Sequence, residues 1–217
     1  IGHHDGRIQL WDATSGKPAA EWSAHAASVR SLKFSPDNTK LCSGSADKTV
    51  RVWTVPDGAL FAKADAPAEI DAVTWLAEGK QVAAGNADNF IRIWSLPEAT
   101  GGALAAVKEL EGHEGAVTSL DAVPSQPMQV LSGSADGSVR LWNIESGEVN
   151  RKLDHGGPVT AVAVRADGKR FASAGQNNVA KLWNAESGDL VAELKGDRYA
   201  RELVAERERD LSFTKSE

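Results

Sequence analysis

Residues DKTVRVW (47–53) set the architecture. An Asp-Lys turn runs into Val50 and Val52 alternating with Thr49 and Arg51, the pattern of a tight turn feeding a strand of period two. The phrase returns as DGRIQLW (5–11), DNFIRIW (88–94), DGSVRLW (136–142) and NNVAKLW (177–183). Each copy ends on Trp, and Trp11, Trp53, Trp94, Trp142 and Trp183 are spaced by 42, 41, 48 and 41 residues. A period of about 40–45 residues predicts an array of small, repeated supersecondary units.

Other parts of each unit repeat in phase. Ahead of the turn lies a second short strand ending in small residues: LCSGSAD (41–47), VAAGNAD (82–88), LSGSAD (131–136) and FASAGQN (171–177). Further upstream come SVRSLKF (28–34), EIDAVTW (69–75), AVTSLDAV (116–123) and PVTAVAV (158–164), each followed by turn residues. A turn such as PDGA or ESGE and one more short strand follow each Trp. Four short antiparallel strands per unit predict an all-β protein. No unit carries the 3.6-residue apolar stripe of a helical solenoid.

The 217 residues are 41% hydrophobic and 25% charged, an ordinary balance for a chain with a packed core. Lys and Arg number 24 against 30 Asp and Glu, a net charge of −6, and the bases are scattered. A nucleic-acid or anionic-membrane partner needs a basic stripe to neutralise phosphates, so neither is expected. No apolar run approaches the roughly 18 residues of a membrane span. Cys42 is the one cysteine, which excludes an internal disulfide and a cysteine-cluster metal site and leaves the compartment open, cytoplasmic or periplasmic. There is no initiator Met and no signal-peptide pattern at Ile1, so any targeting segment would lie upstream.

A His stands 28 or 29 residues ahead of three tryptophans: His25 before Trp53, His113 before Trp142 and His155 before Trp183. With this the chain resembles the WD40 repeat family over about residues 1–195. Only Trp11–Asp12 is a literal Trp-Asp pair; Thr54, Ser95, Asn143 and Asn184 follow the other tryptophans, and five copies in phase carry the resemblance. It implies a β-propeller of about four full four-stranded blades and a partial one, an incomplete ring. It also implies one buried tetrad per blade: His25, Ser43, Asp47 and Trp53; His113, Ser132, Asp136 and Trp142; and His155, Ser173, Asn177 and Trp183. The Trp94 unit offers Ala66, Ala84 and Asp88, half a set.

A His between a carboxylate and a hydroxyl, with the hydroxyl reaching an indole N–H, satisfies every buried polar group and ties three strands together. Ser, His and Asp together also suggest a hydrolase. Nucleophilic catalysis, however, needs one exposed hydroxyl beside a pocket, whereas this set recurs blade after blade. The expectation is a structural tetrad and no enzyme. His3, His4 and Asp5 lack a further ligand at metal-binding spacing, and the glycines form no phosphate-binding fingerprint, so no metal or cofactor is expected. Trp22 and Trp75 read as packing residues.

In a propeller the loops bearing the His and the turn Asp open onto one face around the central channel. The resemblance therefore points to Arg30, Lys48, Glu69, Asp71, Asn89, Glu114, Thr118 and Thr160 as a face for a protein or peptide partner. Fewer blades than the seven of the commonest WD40 ring implies a fragment, the remaining blades coming from the parent chain or a second copy. Residues 196–217, rich in interleaved acids and bases, predict a charged helix or the start of a coiled coil. Similar segments follow WD40 repeats in long bacterial proteins with a c-type cytochrome domain. The alternative function is thus an accessory propeller of a larger multidomain enzyme or electron-transfer protein, although Cys-x-x-Cys-His is absent here.

Overall fold

A computed structural model of the chain describes residues 1–196; the helix expected over 196–217 falls, apart from Gly196, outside the described residues. Five sheets follow one another along the chain. Blade I is the ribbon β1 (Arg7–Trp11) and β2 (Pro18–Ser23). Blade II holds β3 (Val29–Phe34), β4 (Lys40–Ser45), β5 (Thr49–Thr54) and β6 (Leu60–Asp65). Blade III holds β7 (Ile70–Leu76), β8 (Gln81–Asn86) and β9 (Ile91–Ser95), after which β10 (Gly102–Ala103) leaves and β11 (Ala105–Leu110) returns as its outer strand. Blade IV is β12 (Val117–Ala122), β13 (Gln129–Ser134), β14 (Ser138–Asn143) and β15 (Val149–Asp154). Blade V is β16 (Val159–Val164), β17 (Arg170–Gly175), β18 (Val179–Asn184) and β19 (Leu190–Lys195). Among the described residues, no strand of blade I pairs with blade V and no apolar cluster joins the two, so no closed ring forms.

Each full blade is an antiparallel meander, as tight turns between period-two strands require. The exception is β10, which pairs parallel with β6 of the preceding blade and covers that outer edge. Apolar faces pack blade against blade. Trp53 lies among Ile8, Ala24, Val29 and Leu41 from blades I and II, and Trp142 among Ile91, Ile93, Leu110 and Val130 from blades III and IV. Trp11 has no such neighbour sheet and is 46% exposed.

Inner strands of consecutive blades are stitched by hydrogen bonds. The Val73 amide donates to Ser31 Oγ at 3.0 Å, Trp75 Nε1 to Lys33 O at 2.8 Å, and the Val162 amide to Ser119 Oγ at 3.0 Å. Lys33 Nζ reaches Asp121 at 3.0 Å, from blade II past blade III to blade IV, so the inner strands converge on a common axis.

Every full blade carries the same irregularity on its inner strand. The β3–β4 register shifts between Val29 and Ser31, β7–β8 between Ile70 and Ala72, β12–β13 between Val117 and Ser119, and β16–β17 between Val159 and Ala161. The extra residues are Arg30, Asp71, Thr118 and Thr160. A bulge leaves its residue outside the ladder and re-aims its side chain.

Candidate functional site

Blades II and IV bring their expected tetrads together. Trp53 Nε1 donates to Ser43 Oγ at 2.8 Å, Ser43 Oγ lies 2.7 Å from His25 Nε2, and His25 Nδ1 lies 3.0 Å from Asp47 Oδ2. In blade IV the corresponding distances are 2.8 Å from Trp142 to Ser132, 2.7 Å from Ser132 to His113 and 2.8 Å from His113 to Asp136. Protons run one way down each chain: indole N–H to hydroxyl, hydroxyl to Nε2, and Nδ1–H to the carboxylate.

Electrostatics agree with this order. Burial holds the His25 and His113 imidazoles below their usual range, outweighing the pull of Asp47 and Asp136. For Asp47, burial works against the carboxylate, but hydrogen bonds from Thr49 Oγ1, the Ala26 amide and His25 prevail and hold it at about 2. Asp136 is depressed in the same way, burial being outweighed by the Glu114 amide, Ser138 and His113. The carboxylates are ionised and the imidazoles neutral near pH 7.

The networks are larger than the motif implies. Thr49 Oγ1 and Ser138 Oγ each donate to their Asp at 2.7 Å, and the Ala26 and Glu114 amides each donate at 3.0 Å. Arg51 donates to Thr49 Oγ1 at 3.1 Å and to Ala24 O at 2.8 Å, closing the site outward. Position two after each turn Asp (Thr49, Ser138) and position four (Arg51, Arg140) recur in the sequence, the signal that marks them.

Blade III lacks the His and Ser but keeps Arg92, the counterpart of Arg51 and Arg140. Its guanidinium bonds Asp88 at 2.9 Å and Glu109 at 2.6 Å, and sits 5.1 Å from the Phe90 ring centroid.

Blade V departs from the expectation. Trp183 Nε1 donates to Ser173 Oγ at 2.9 Å, but His155 faces that hydroxyl with Nδ1, at 2.8 Å. Burial lowers the His155 pKa and the Asn177 carboxamide is close enough to the ring to pull it upward, yet His155 Nε2 gains no well-formed hydrogen bond from it; the carboxamide accepts the Val179 amide at 3.2 Å and stands exposed. The cause is local. Gly156 turns in the left-handed region (φ 83°), and its amide goes to Asp154 at 2.8 Å instead of to the turn residue.

None of these sets presents a nucleophile. Ser43 and Ser132 are 0% exposed and Ser173 1%, each hydroxyl held between an indole and an imidazole. A cavity of about 810 Å³ lies at the opposite ends of blades IV and V, lined by Leu141, Phe171, Arg151, Asp167 and Lys169 among others. It contains no base paired with a hydroxyl. Burial pushes the Cys42 thiol far up, so it is inert. Among the described residues no three His, Cys, Asp or Glu side chains cluster as metal ligands, and no helix is long and apolar enough to cross a membrane.

The expected partner face is a row of exposed or half-buried side chains at the tetrad end of the blades. Arg30 bridges Glu69 at 2.5 Å and also pairs with Asp71, joining blades II and III. Lys48 and Asn89 hold left-handed turn positions (φ 65° and 75°), and Glu114 is exposed beside His113. Thr118 differs from the others: its hydroxyl donates to Val159 O at 2.6 Å and lies 3.0 Å from Gly133 O, tying blade IV to blade V. Thr160 donates to Ala174 O at 3.2 Å and remains exposed.

The family described as WD domain, G-beta repeat matches residues 16–54, 63–95, 105–143 and 147–184, most of the chain. Among similar proteins, translation initiation factor 3 subunit I of Neurospora crassa is 30% identical over 78 residues, 36% of this chain and 22% of that protein. Guanine nucleotide-binding protein subunit beta-5b of Danio rerio is 40% identical over 52 residues, 24% of this chain and 13% of its own. Human WD repeat and SOCS box-containing protein 1 is 44% identical over 57 residues, 26% of this chain and 14% of its own. Each match thus spans less than a quarter of the relative's length. These relatives are eukaryotic and lend no support to a long bacterial parent or a coiled-coil fusion.

Proposed function

Because the chain belongs to the WD domain, G-beta repeat family, we propose that it is a non-catalytic scaffold that binds a protein or peptide partner through the tetrad-end face. The four aligned bulges carry this reading. They lift Arg30, Asp71, Thr118 and Thr160 out of the ladder at one level in four successive blades, and a bulge is a common device for re-aiming a recognition side chain. The tetrads of blades II and IV fix the loops behind Arg30 and Thr118, so this part of the face is held rigid before a partner arrives, which lowers the ordering cost of binding.

The test separates binding from folding. Peptides selected from a random library on the wild-type chain are re-measured on the R30D/D71R double variant, which inverts the charge pattern while keeping an opposite-charge pair. Affinity is expected to fall about tenfold, roughly 1.4 kcal/mol, at unchanged thermal stability. Selected peptides that bind the variant as tightly would place recognition elsewhere on the propeller.

A further inference from the structure

Blade V lacks the turn carboxylate on which the networks of blades II and IV end. The Ser173 hydroxyl accepts the Trp183 indole and has one other partner among the described residues, His155 Nδ1. Its proton therefore goes to Nδ1, and the neutral imidazole keeps its own proton on Nε2. That Nε2–H belongs to a residue that is 0% exposed and, among the described residues, it has no hydrogen-bond partner of good geometry. In blades II and IV the donor chain ends on a carboxylate; in blade V, among the described residues, it ends on none, and a buried donor without a well-placed acceptor is costly.

The surroundings are those of a missing anion. Position 177 is Asn where Asp47 and Asp136 stand, and Gly175 stands where Ser45 and Ser134 do. A Cβ at Gly175 would fall 2.5 Å from His155 Nε2, so the glycine is what admits the turned ring. Beside it opens a cavity of about 350 Å³ lined by His155, Asn177, Lys181, Glu193 and Lys195. The Glu193 carboxylate lies 3.8 Å from Lys181 and 3.6 Å from Lys195, so the described lining brings two ammonium groups to one carboxylate. Asp154, the other nearby acid, accepts the Gly156 amide and lies outside the lining.

We propose that this cavity binds a carboxylate, which accepts the His155 Nε2–H in place of the absent turn Asp and faces the Lys181 ammonium. The exposed Asn177 carboxamide, held by one 3.2 Å bond from Val179, turns aside to admit it. This inference is independent of which face the protein partner uses. Both a free small carboxylate and an acidic side chain of a peptide present the required group.

Sodium acetate and the blocked amino acid N-acetyl-aspartate amide are titrated at constant ionic strength into the 217-residue chain, following the imidazole NMR signals. The His155 signals should move saturably with at least one probe while those of His25 and His113 stay fixed. Equal response to both probes assigns the site to carboxylates at large, and about tenfold tighter binding of the aspartate derivative assigns it to peptide side chains. N177D, which supplies an internal carboxylate, should lose the response at least about tenfold. Lys181→Met, which keeps the stem over Trp183, should also weaken it and serves if N177D does not fold. No saturable shift at His155, an equal drift of all three histidines, or undiminished binding in the folded variants would overturn the proposal.

Discussion

Replacing Trp142 with Ala is expected to lower stability by about 3–5 kcal/mol, the range for a large aromatic removed from a core. Trp142 is 0% exposed and fills the joint between blades III and IV among Ile91, Ile93, Leu110 and Val130. Its indole is also the first donor of the blade IV network, so the change leaves both a cavity and a re-routed hydroxyl. Trp11→Ala, at the equivalent position of blade I, should cost below about 1 kcal/mol, as a surface change does. Trp11 is 46% exposed, and its indole N–H donates to Gln9 Oε1 at 2.8 Å within its own strand. Urea unfolding read by circular dichroism distinguishes them. Equal losses would mean that the repeated Trp acts within its own sheet and not as the filler between blades.

Asp47→Ala should cost about 3 kcal/mol at pH 7, because its carboxylate accepts from His25 Nδ1, the Thr49 hydroxyl and the Ala26 and Thr49 amides at once. The pH dependence has a definite sign. The folded-state pKa of about 2 lies below the ordinary 3.8, so the carboxylate's contribution is complete above pH 4 and is lost as pH falls through 2. The gap between wild type and variant should therefore close over that window. A gap unchanged from pH 7 to pH 2 would show that the charge contributes nothing. Asp88→Ala in blade III should cost less, since Arg92 keeps Glu109 as a partner.

Much of this was legible in the sequence because it repeats locally. The period-two strands, the turn Asp and the Trp recur at fixed offsets, and period plus turn chemistry specifies a four-stranded blade without knowledge of its neighbours. What escaped the reading depends on contacts across blades or on backbone direction. The PEATGG segment reads as a turn, yet its end forms β10 against β6, a pairing set only by the neighbouring blade. His155 stands at the expected offset, but Gly156 sends the backbone another way and Gly175 opens room for the turned ring. The clue lay in the chain: Gly175, Asn177, Val179 and Lys181 differ together from Ser45, Asp47, Thr49 and Arg51. Arg30, Asp71, Thr118 and Thr160 were placed on one face, whereas the bulges that aim them came from the register alone.

Hydrogen exchange at the indole Nε1–H groups, followed by NMR, tests most directly whether the Ser-His-Asp sets are structural locks. The Trp53 and Trp142 indoles, sealed in their networks, should exchange only through global or whole-blade opening, and the exposed Trp11 indole far faster. Exchange of Trp53 and Trp142 at the rate of Trp11 would mean that solvent reaches Ser43 and Ser132, and the networks would then be open sites instead of the frame of a binding scaffold.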